Sequence, residues 1–562
     1  REYRTFQANG GFTLKLFKGL SFRNTTGMRY QTRRNDVFYG DKSITAKRSS
    51  INGSIQNLET GSFQTSNVLN YNWSGKGHDV TAMVGQEYVD RWNRNFKAAA
   101  SNFPNDDIGL ADLSLGLPTA VQSAENYDDK LLSFFARFNY GFKDKYLFTA
   151  SVRADGSSKF GKNNKWGYFP AFSAAWRLGE EEFIKNLNIF SDLKVRLGYG
   201  MAGNNRIDSY LSLAVLESVT YPNGDSTQPG YVSKQIPNPD LKWEANKTFN
   251  FGLDFGFFNN KLTGAMNYYY NQTEELLITK ALPPSAGLNN PILNVGKIRN
   301  SGVEVEINWA DSKGGFDYNI GMNFSTTKNK VVELADKGQV LYGEGLKYGT
   351  EHFPTQTRVG KPIGAFYLYK TNGLFQSNEE ARQYVNADGD EYQPFADAGD
   401  IRYVDVNGDG YIDDDDKVYC GSGIPTLEVN LNFSAGYKGF DLSVVLGSAW
   451  GHKIYNGNKY FYEGMNSGSN FLTSSLNAWT PQNTNTNIPR AIFNDPNGNL
   501  KESDRFIEKG DFVRLRQLQL GYTLPKKIMQ KVFIERLRFY VSGENLFTIT
   551  GYDGIDPEFS RV

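Results

Sequence analysis

The chain has 562 residues with 61 basic and 61 acidic side chains, so its formal net charge is zero. This balance argues against a nucleic-acid-binding protein, which normally needs a basic face. The single cysteine, Cys420, excludes a disulfide framework and a cysteine-based zinc site. Because no apolar run approaches the roughly 18 residues of a membrane-spanning helix, the sequence also excludes a helical membrane protein. A membrane β-barrel remains open, since only half of each of its strands faces lipid.

The first recurring pattern along the chain is a segment of about ten residues in which large apolar side chains alternate with polar or small ones. Phe, Tyr, Leu, Val or Ile share one face of each segment, and Asn, Asp, Glu, Ser or Gly dominate the other. This period of two predicts β-strands. In chain order the segments are Leu132–Tyr140, Thr248–Gly256, Val303–Trp309, Phe316–Ser325 and Val429–Tyr437.

The polar faces of these strands decide between two architectures. A transmembrane barrel places apolar and aromatic side chains outward in lipid and polar side chains inward in water. Aromatic residues near strand ends, such as Trp166, Trp176 and Trp243, suit the girdles at the lipid headgroups. The alternative is a soluble repeat protein such as a propeller, but no repeat of roughly 40 to 50 residues is visible. The sequence therefore predicts an all-β fold, a transmembrane antiparallel β-barrel.

The connections between the strands are of two kinds. Tight polar turns are predicted at Phe142–Lys145 and Phe257–Lys261. Long insertions are predicted at Ala99–Asp128, Ser218–Asp240, Val340–Pro362 and Phe375–Lys417. Short turns at one rim and long extracellular loops at the other are typical of outer-membrane barrels, and loops of this length usually carry function.

Short helices are predicted within two of the connecting segments. Ser377 and Glu380 have the spacing of a capping box that opens a helix over Asn378–Tyr384. Lys526–Glu535 has a helical composition.

One acidic segment has the spacing of a calcium loop of the EF-hand or dockerin type. Oxygen ligands are expected at positions 1, 3, 5, 7, 9 and 12, with a glycine at position 6 for the sharp turn. Gly410 occupies that turn, and Ile412 is expected to anchor the loop to the protein. The predicted ligands are Asp405, Asn407, Asp409, the carbonyl of Tyr411, Asp413 and Asp416. Asp416 replaces the usual Glu, and the alternative interpretation is an acidic surface turn without metal.

Two other patterns favour structure over chemistry. The glycines at 198, 200 and 203 match a dinucleotide fingerprint, but no helix or βαβ unit follows, so we assign them to a barrel strand and its turn. The pair Glu274–Glu275 and the run Glu180–Glu182 are candidate acid–base carboxylates, but we interpret them as solvated strand ends or rim residues. No arrangement of nucleophile, base and orienting group is apparent, so we predict no enzyme and no catalytic residues.

Seven runs resemble the TonB-dependent transporters of the SusC/RagA family of Bacteroidetes, and together they extend over nearly the whole chain in the family's order. They are FGKNNKWGYFPAFSAAWRL (160–178), LKVRLGYGMAGNNRIDSY (193–210), NPDLKWEANKTFNFGLDF (238–255), NVGKIRNSGVEVEINW (294–309), GDIRYVDVNGDGYIDDDDK (399–417), GDFVRLRQLQLGYTLP (510–525) and ENLFTITGYDGIDPE (544–558).

The resemblance implies a nutrient importer of the outer membrane. The intact barrel would have about twenty-two strands and enclose a plug. A SusD-like lipoprotein would cap its extracellular mouth, and TonB would pull on the plug. The family's substrates are mainly oligosaccharides, with peptides in some members, and two transporter–lipoprotein pairs would assemble as a dimer. The aromatic segment Tyr455–Tyr462 is a candidate for contact with sugar, with lid docking or a lipid girdle as alternatives.

The resemblance assigns residues 1–562 to the barrel, with the plug and the last strand of the family outside them. The alternatives from other classes are a passive porin, a surface receptor or adhesion barrel, and a barrel-borne hydrolase. A porin needs neither plug nor lid, and a hydrolase needs a catalytic set that the sequence does not show.

Overall fold

The computed structural model describes residues 1–224, 226–233, 235–280, 282, 284–343, 345–348, 350–466, 470–530 and 533–558. It divides into two compact units. The first comprises Arg1–Glu181, Val195–Asn250 and Gln272–Gly296, and the second comprises Glu182–Lys194, Phe251–Asn271 and Lys297–Val562. Within the described residues, no helix is both long and apolar enough to cross a membrane.

Strands dominate both units. They are β1 (Glu2–Phe17), β2 (Leu20–Tyr39), β3 (Asn52–Gly75), β4 (His78–Ser101), β5 (Leu117–Phe142), β6 (Tyr146–Ser157), β7 (Trp166–Trp176), β8 (Phe190–Asn204), β9 (Leu216–Asn223), β10 (Ser226–Ser233), β11 (Glu244–Phe257), β12 (Leu262–Glu274), β13 (Leu277–Thr279), β14 (Ile292–Asn294), β15 (Lys297–Lys313), β16 (Phe316–Thr326), β17 (Lys328–Glu333), β18 (Leu341–Tyr342), β19 (Leu346–Tyr348), β20 (Thr350–His352), β21 (Thr355–Thr357), β22 (Ala365–Leu368), β23 (Thr371–Leu374), β24 (Ile401–Tyr403), β25 (Val418–Gly421), β26 (Leu427–Tyr437), β27 (Phe440–Trp450), β28 (Lys453–Tyr455), β29 (Ile507–Lys509), β30 (Phe512–Thr523) and β31 (Arg538–Thr550).

Helices are short and lie in the connections. The α-helices are α1 (Ile44–Ser49), α2 (Glu182–Lys185), α3 (Asn378–Arg382), α4 (Gly457–Tyr462) and α5 (Lys526–Met529). Single 3₁₀ turns are present at Leu113–Leu115, Leu178–Glu180, Pro284–Ala286, Asp414–Asp416, Thr473–Asn477 and Asp504–Phe506.

In the first unit, consecutive strands from β1 to β8 pair antiparallel, each with the next. The register places Phe138 opposite Ala150 on one face and Arg137 opposite Ser151 on the other. Phe138 is exposed, as a lipid-facing side chain must be when no lipid is present. The prediction that apolar and polar residues separate onto opposite faces is therefore confirmed here.

The second unit repeats this arrangement in β15, β16, β26, β27 and β30. Ile307, Met322 and Leu431 form one cross-strand row, and the neighbouring row is polar. All five segments predicted from alternation lie in strands, in β5, β11, β15, β16 and β26.

The predicted loop at Ala99–Asp128 is wrong over half of its length. β4 continues to Ser101 and β5 begins at Leu117, and these two residues pair. Crossing a membrane takes only about 9 to 11 residues of a strand, so this hairpin continues well beyond the membrane. Because neither face meets lipid there, the ladder persists without the apolar alternation that signals a strand.

The other predicted connections are mostly confirmed. Both tight turns are present, and their residues, among them Asp144 and Asn260, have φ values of 54° and 62°. The Ser218–Asp240 insertion contains the hairpin β9–β10, and Val340–Pro362 contains the short strands β18 to β21. Phe375–Lys417 is largely irregular.

The two predicted helices are shorter than expected. Ser377 caps α3 by accepting from the amide of Glu380 at 3.1 Å. The Glu380 carboxylate accepts from the amide of Gln376 at 2.6 Å, one residue before the capping-box position, and the helix ends at Arg382. In the second case the helix ends at Met529, and residues 531–532 lie outside the described part of the chain.

Hydrophobic clusters lie in the connections and not between sheets. In the first unit Phe160, Ile207 and Leu241 pack together. In the second unit the connections hold three such clusters. The largest of them consists of Tyr369, Leu374, Ile401, Tyr403 and Trp479. The connections of the second unit therefore fold as a packed body, which we call the loop assembly (residues 366–421, 453–466 and 470–509).

Candidate functional site: the acidic loop and the buried charges of the loop assembly

The acidic loop lies between β24 and β25. Asp405 accepts hydrogen bonds from the amides of Gly408 and Gly410, at 2.6 and 2.9 Å. Gly410 has a φ of 91°, a conformation that glycine adopts without strain. The sharp turn predicted at this glycine is therefore confirmed.

The next two predicted ligands continue this pattern of local hydrogen bonds. The side chain of Asn407 accepts from the amide of Asp409, and Asp409 accepts from the amide of Tyr411, both at 2.9 Å. Ile412 packs against the largest hydrophobic cluster of the loop assembly. The apolar anchor predicted at that position is confirmed.

Asp416 closes the loop from the inside. Its side chain is fully buried. One oxygen accepts from the amide of Val406 at 2.7 Å, and the other accepts from the amide of Asp413 at 2.9 Å. Asp413 and Asp416 also form a reciprocal capping box around the 3₁₀ turn Asp414–Asp416.

The loop therefore keeps its shape through amide-to-carboxylate hydrogen bonds. Desolvation favours the protonated form of Asp405, but hydrogen bonds from Gly410 and Gly408 outweigh it and lower the pKa of Asp405. Among the residues that the structure describes, no group of three or more His, Cys, Asp or Glu side chains is arranged to hold a metal ion. The calcium ligands thus stay a prediction, of which the turn and the anchor are in place.

Next to the acidic loop lies a buried group of charges centred on Glu502. Its carboxylate receives Lys417 Nζ at 2.7 Å and faces His352 Nδ1 at 2.6 Å. Lys417 also pairs with Asp414 at 2.8 Å, and Tyr369 donates its hydroxyl to Asp414 at 2.9 Å. Burial alone would raise the pKa of Glu502, but hydrogen bonds from His352 and Lys417 lower it to about 2.

A second buried network joins two sequence-distant parts of the loop assembly. Asp400 is fully buried and forms a two-pronged ion pair with Arg490, with both N–O distances 2.9 Å. Asn499 donates to Asp400 at 2.9 Å and accepts from the amide of Ile401 at 2.8 Å. These bonds fix the segment near β24 to the segment near 490–500.

Most aromatic side chains of the segment Tyr455–Tyr462 pack in or against a hydrophobic cluster. Tyr460 is 4% exposed and lies in a cluster with Leu500 and Phe506. Tyr462 is 48% exposed. Tyr460 is therefore unsuited to the sugar contact predicted for this segment, whereas the ring of Tyr462 is accessible.

The glycines and glutamates to which we assigned no chemical role from the sequence lie in strands or form local hydrogen bonds and ion pairs. The three glycines at 198, 200 and 203 lie in β8. Glu181 accepts hydrogen bonds from Tyr146 and Trp176. Lys242 pairs with Glu275 at 3.1 Å. Glu274 is the last residue of β12 and Glu180–Glu182 follow β7, so both groups lie at strand ends.

Sequence reasoning missed the two buried charge networks. The only local signal is the turn-rich run from Asn494 to Asn499, in which Asn497 and Asn499 belong to the network around Asp400. Nothing in the sequence near Glu502 or Arg490 distinguishes them from solvated charges.

Strands with an apolar outer face and a polar inner face define an outer-membrane β-barrel. The chain matches the model of the β-barrel of TonB-dependent receptor-like proteins over residues 1–546. TonB-dependent receptor P3 of Formosa agariphila is 32% identical over 99% of this chain and 55% of its own length. TonB-dependent receptor SusC of Bacteroides thetaiotaomicron is 31% identical over 78% of this chain and 42% of its own length.

Comparison with solved structures points to the same family. A structure of the RagAB peptide transporter superposes with a TM-score of 0.81 and 26% identity, covering 99% of this chain and 59% of the other. The chain spans about half the length of the curated relatives it matches. The chain belongs to the TonB-dependent receptor β-barrel family, in its SusC-like branch. Members of this family are transporters and not enzymes, in agreement with the sequence prediction.

Proposed function

We propose that this chain supplies the barrel of a TonB-dependent importer that carries a nutrient across the outer membrane together with a SusD-like surface lipoprotein. The observation that carries the proposal is the match to the RagAB transporter over 99% of the chain. The loop assembly supports it, because loops fixed by buried ion pairs such as Asp400–Arg490 offer a lid a preformed surface. TonB would act on the plug, and two barrel–lipoprotein pairs would form the assembly.

We propose an oligosaccharide as the imported nutrient, with a peptide as the second candidate. Exposed aromatic rings such as that of Tyr462 suit the apolar faces of sugars. The peptide candidate is favoured by the similarity to RagAB, which is described as a peptide transporter. The passive porin and the surface receptor are the alternatives that the experiment must separate.

The test is a mild-detergent pull-down of the native full-length protein, followed by mass spectrometry. We expect a lipoprotein in stoichiometric amount, which can then be tested with sugars and peptides. A barrel that remains folded and comes down alone would contradict the lidded importer. Uptake that persists after a protonophore collapses the inner-membrane gradient would point to a porin.

We also propose that the acidic loop binds one Ca²⁺ through Asp405, Asn407, Asp409, the carbonyl of Tyr411, Asp413 and Asp416. Supporting it are the oxygen-rich donor set and the turn at Gly410, which has the conformation such loops need. The bound ion would stiffen the loop.

Calorimetry tests the calcium site. We expect wild-type protein to bind calcium and Asp405→Ala to lose most of that binding. Asp388→Ala is the matched control, because Asp388 is an exposed acidic residue in a neighbouring turn. Identical isotherms for wild type and Asp405→Ala would exclude the site.

A further inference from the structure

Within the first unit, side chains on the polar face shrink in steps across four neighbouring strands. Arg137 on β5 lies opposite Ser151 on β6, Ser151 lies opposite Ala171 on β7, and Ala171 lies opposite Gly200 on β8. Residues that face each other across antiparallel strands project from the same side of the sheet. The row therefore falls from a long cation to no side chain at all.

The adjacent row towards the short turn Phe142–Lys145 repeats the pattern. It consists of Asn139, Thr149, Ser173 and Gly198. Together the two rows line a hollow of about 640 Å³. A Cβ built on Gly198 meets no atom within 4 Å, so the floor of the hollow is open space.

The polar side chains around the hollow are neutral apart from one. Asn246, Thr248 and Asn250 on β11 also line it, together with the less polar Phe172, Tyr199, Met201 and Ala202. Asn139 accepts from the hydroxyl of Thr149 at 3.0 Å, which leaves its NH₂ group as a donor. No carboxylate lines the hollow.

Arg137 supplies the single charge, and among the described residues it has no hydrogen-bond or ion-pair partner. The contrast is Arg153 on the neighbouring strand, which projects from the same face. Its guanidinium bonds Asp155 at 2.7 Å, Ser133 at 2.8 Å and Glu87 at 2.9 Å. One inward arginine is thus neutralised by the wall, and the other is left with its charge available.

We propose that this hollow is a carboxylate-binding position for the imported solute on the inner wall of the barrel. Arg137 would pair with the carboxylate of an acidic sugar or a peptide, and the amides and hydroxyls around it would take the solute's other polar groups. The inference rests on the proposed import function. Because Arg137 is exposed, the pairing is weak, which suits a position that a solute passes.

The hollow lies near the short turns of its strands, the rim that faces the periplasm in outer-membrane barrels. A solute released from the extracellular mouth would reach it late. The position would therefore favour anionic solutes on the exit side of the barrel.

The experiment measures thiol labelling in the full-length transporter, purified in detergent without lipoprotein. Cys420→Ser removes the only cysteine of this chain, and Ser173→Cys places a thiol in the hollow. Labelling rates are compared for a negatively charged and a positively charged methanethiosulfonate. We expect the anionic reagent to react about fivefold faster, because a single unscreened cation lies nearby.

Arg137 variants show whether that preference belongs to the arginine. We expect Arg137→Gln to bring the rate ratio close to one and Arg137→Lys to keep most of it. Galacturonate should slow the labelling in the parent and not in Arg137→Gln, and galactose should have no effect in either. Ser443→Cys is the matched control, since it lines a hollow of the second unit whose Lys261 and Asp311 pair with each other at 2.8 Å.

Three outcomes would overturn the inference. A rate ratio that Arg137→Gln leaves unchanged would show that the preference for the anionic reagent does not come from Arg137. Equal protection by galactose and galacturonate would show that the hollow does not recognise a carboxylate. A thiol that neither reagent reaches would show that the protein itself fills the hollow. Because the assay uses neither lipoprotein nor energy, none of these results bears on whether the protein is an importer.

Discussion

The strands and the loop assembly of the second unit distribute apolar side chains in opposite ways. On the strands, large apolar residues such as Ile320 and Phe440 are 38% and 55% exposed. In the loop assembly, Phe375 and Tyr403 are fully buried. The loop assembly also buries charged side chains, since Asp400 and Asp416 are fully buried there.

The reason for this contrast is that one chain folds here against two solvents, lipid and water. A strand in a bilayer stabilises its backbone through the ladder and leaves its apolar face to lipid. A loop in water must bury its own apolar residues to stay ordered, and it can retain buried charges only when they are ion-paired or fully hydrogen-bonded. A strand should therefore be destabilised when a charge is added to its outer face, and the loop assembly when one partner of a buried ion pair is removed.

The largest effect is expected from breaking a buried pair in the loop assembly. Arg490→Ala leaves the fully buried Asp400 without its cation. We expect a loss of about 3 to 5 kcal/mol in local stability. Hydrogen exchange at the amide of Ile401, which bonds Asn499, reports it.

The control for Arg490→Ala is Arg382→Ala. Arg382 pairs with Glu391 and Asp397, but its side chain is 43% exposed. Removing an exposed pair should cost no more than about 1 kcal/mol. Equal acceleration of exchange by both variants would mean that the loop charges are not held in a desolvated interior.

The next effect is expected on the lipid face of a strand. Ile320→Lys places a charge on the outward face of β16, and we expect a cost of about 2 to 4 kcal/mol near the bilayer centre. Asn319→Lys, one residue earlier on the inward face, should be close to neutral. Urea titrations of the full-length protein in lipid vesicles give the comparison, and a reversed order would contradict the assigned faces.

The same contrast explains how much the sequence predicted. The alternation in Leu132–Tyr140 or Phe316–Ser325 is a local property, and both segments are strands. The turn at Gly410 was also predictable, since its neighbours Asp405 and Gly408 lie within the same loop. Local spacing was sufficient in these cases.

The loop assembly could not be predicted in this way. Asp400 and Arg490 are 90 positions apart, and Lys417 and Glu502 are 85 apart. No periodicity connects such residues, because the connection exists only after the loops have packed. For the same reason the strand parts of Ala99–Asp128 were missed, since pairing between β4 and β5 holds them without an alternating pattern.

The smallest of the three effects concerns pH and belongs to the loop assembly alone. The pKa of Glu502 in the folded protein is about 2, against an ordinary value of 4.5. A lowered carboxyl pKa stabilises the fold above the ordinary pKa, and this stabilisation is lost as pH falls from 4.5 towards 2. The shift sets an upper limit of about 3 kcal/mol, of which about 2 kcal/mol is lost by about pH 3.

Resistance of the loop assembly to a protease active in acid, measured between pH 5 and about 2, gives the profile. We expect resistance to fall with pH in the wild type. Glu502→Gln should flatten that slope, because the amide cannot titrate, and should start from a lower resistance since Lys417 loses its buried partner. Glu391→Gln, which removes a half-exposed partner of Arg382, should keep the wild-type slope. A slope that survives in Glu502→Gln would assign the acid sensitivity to other carboxylates and leave the loop assembly no different from the strands in its response to pH.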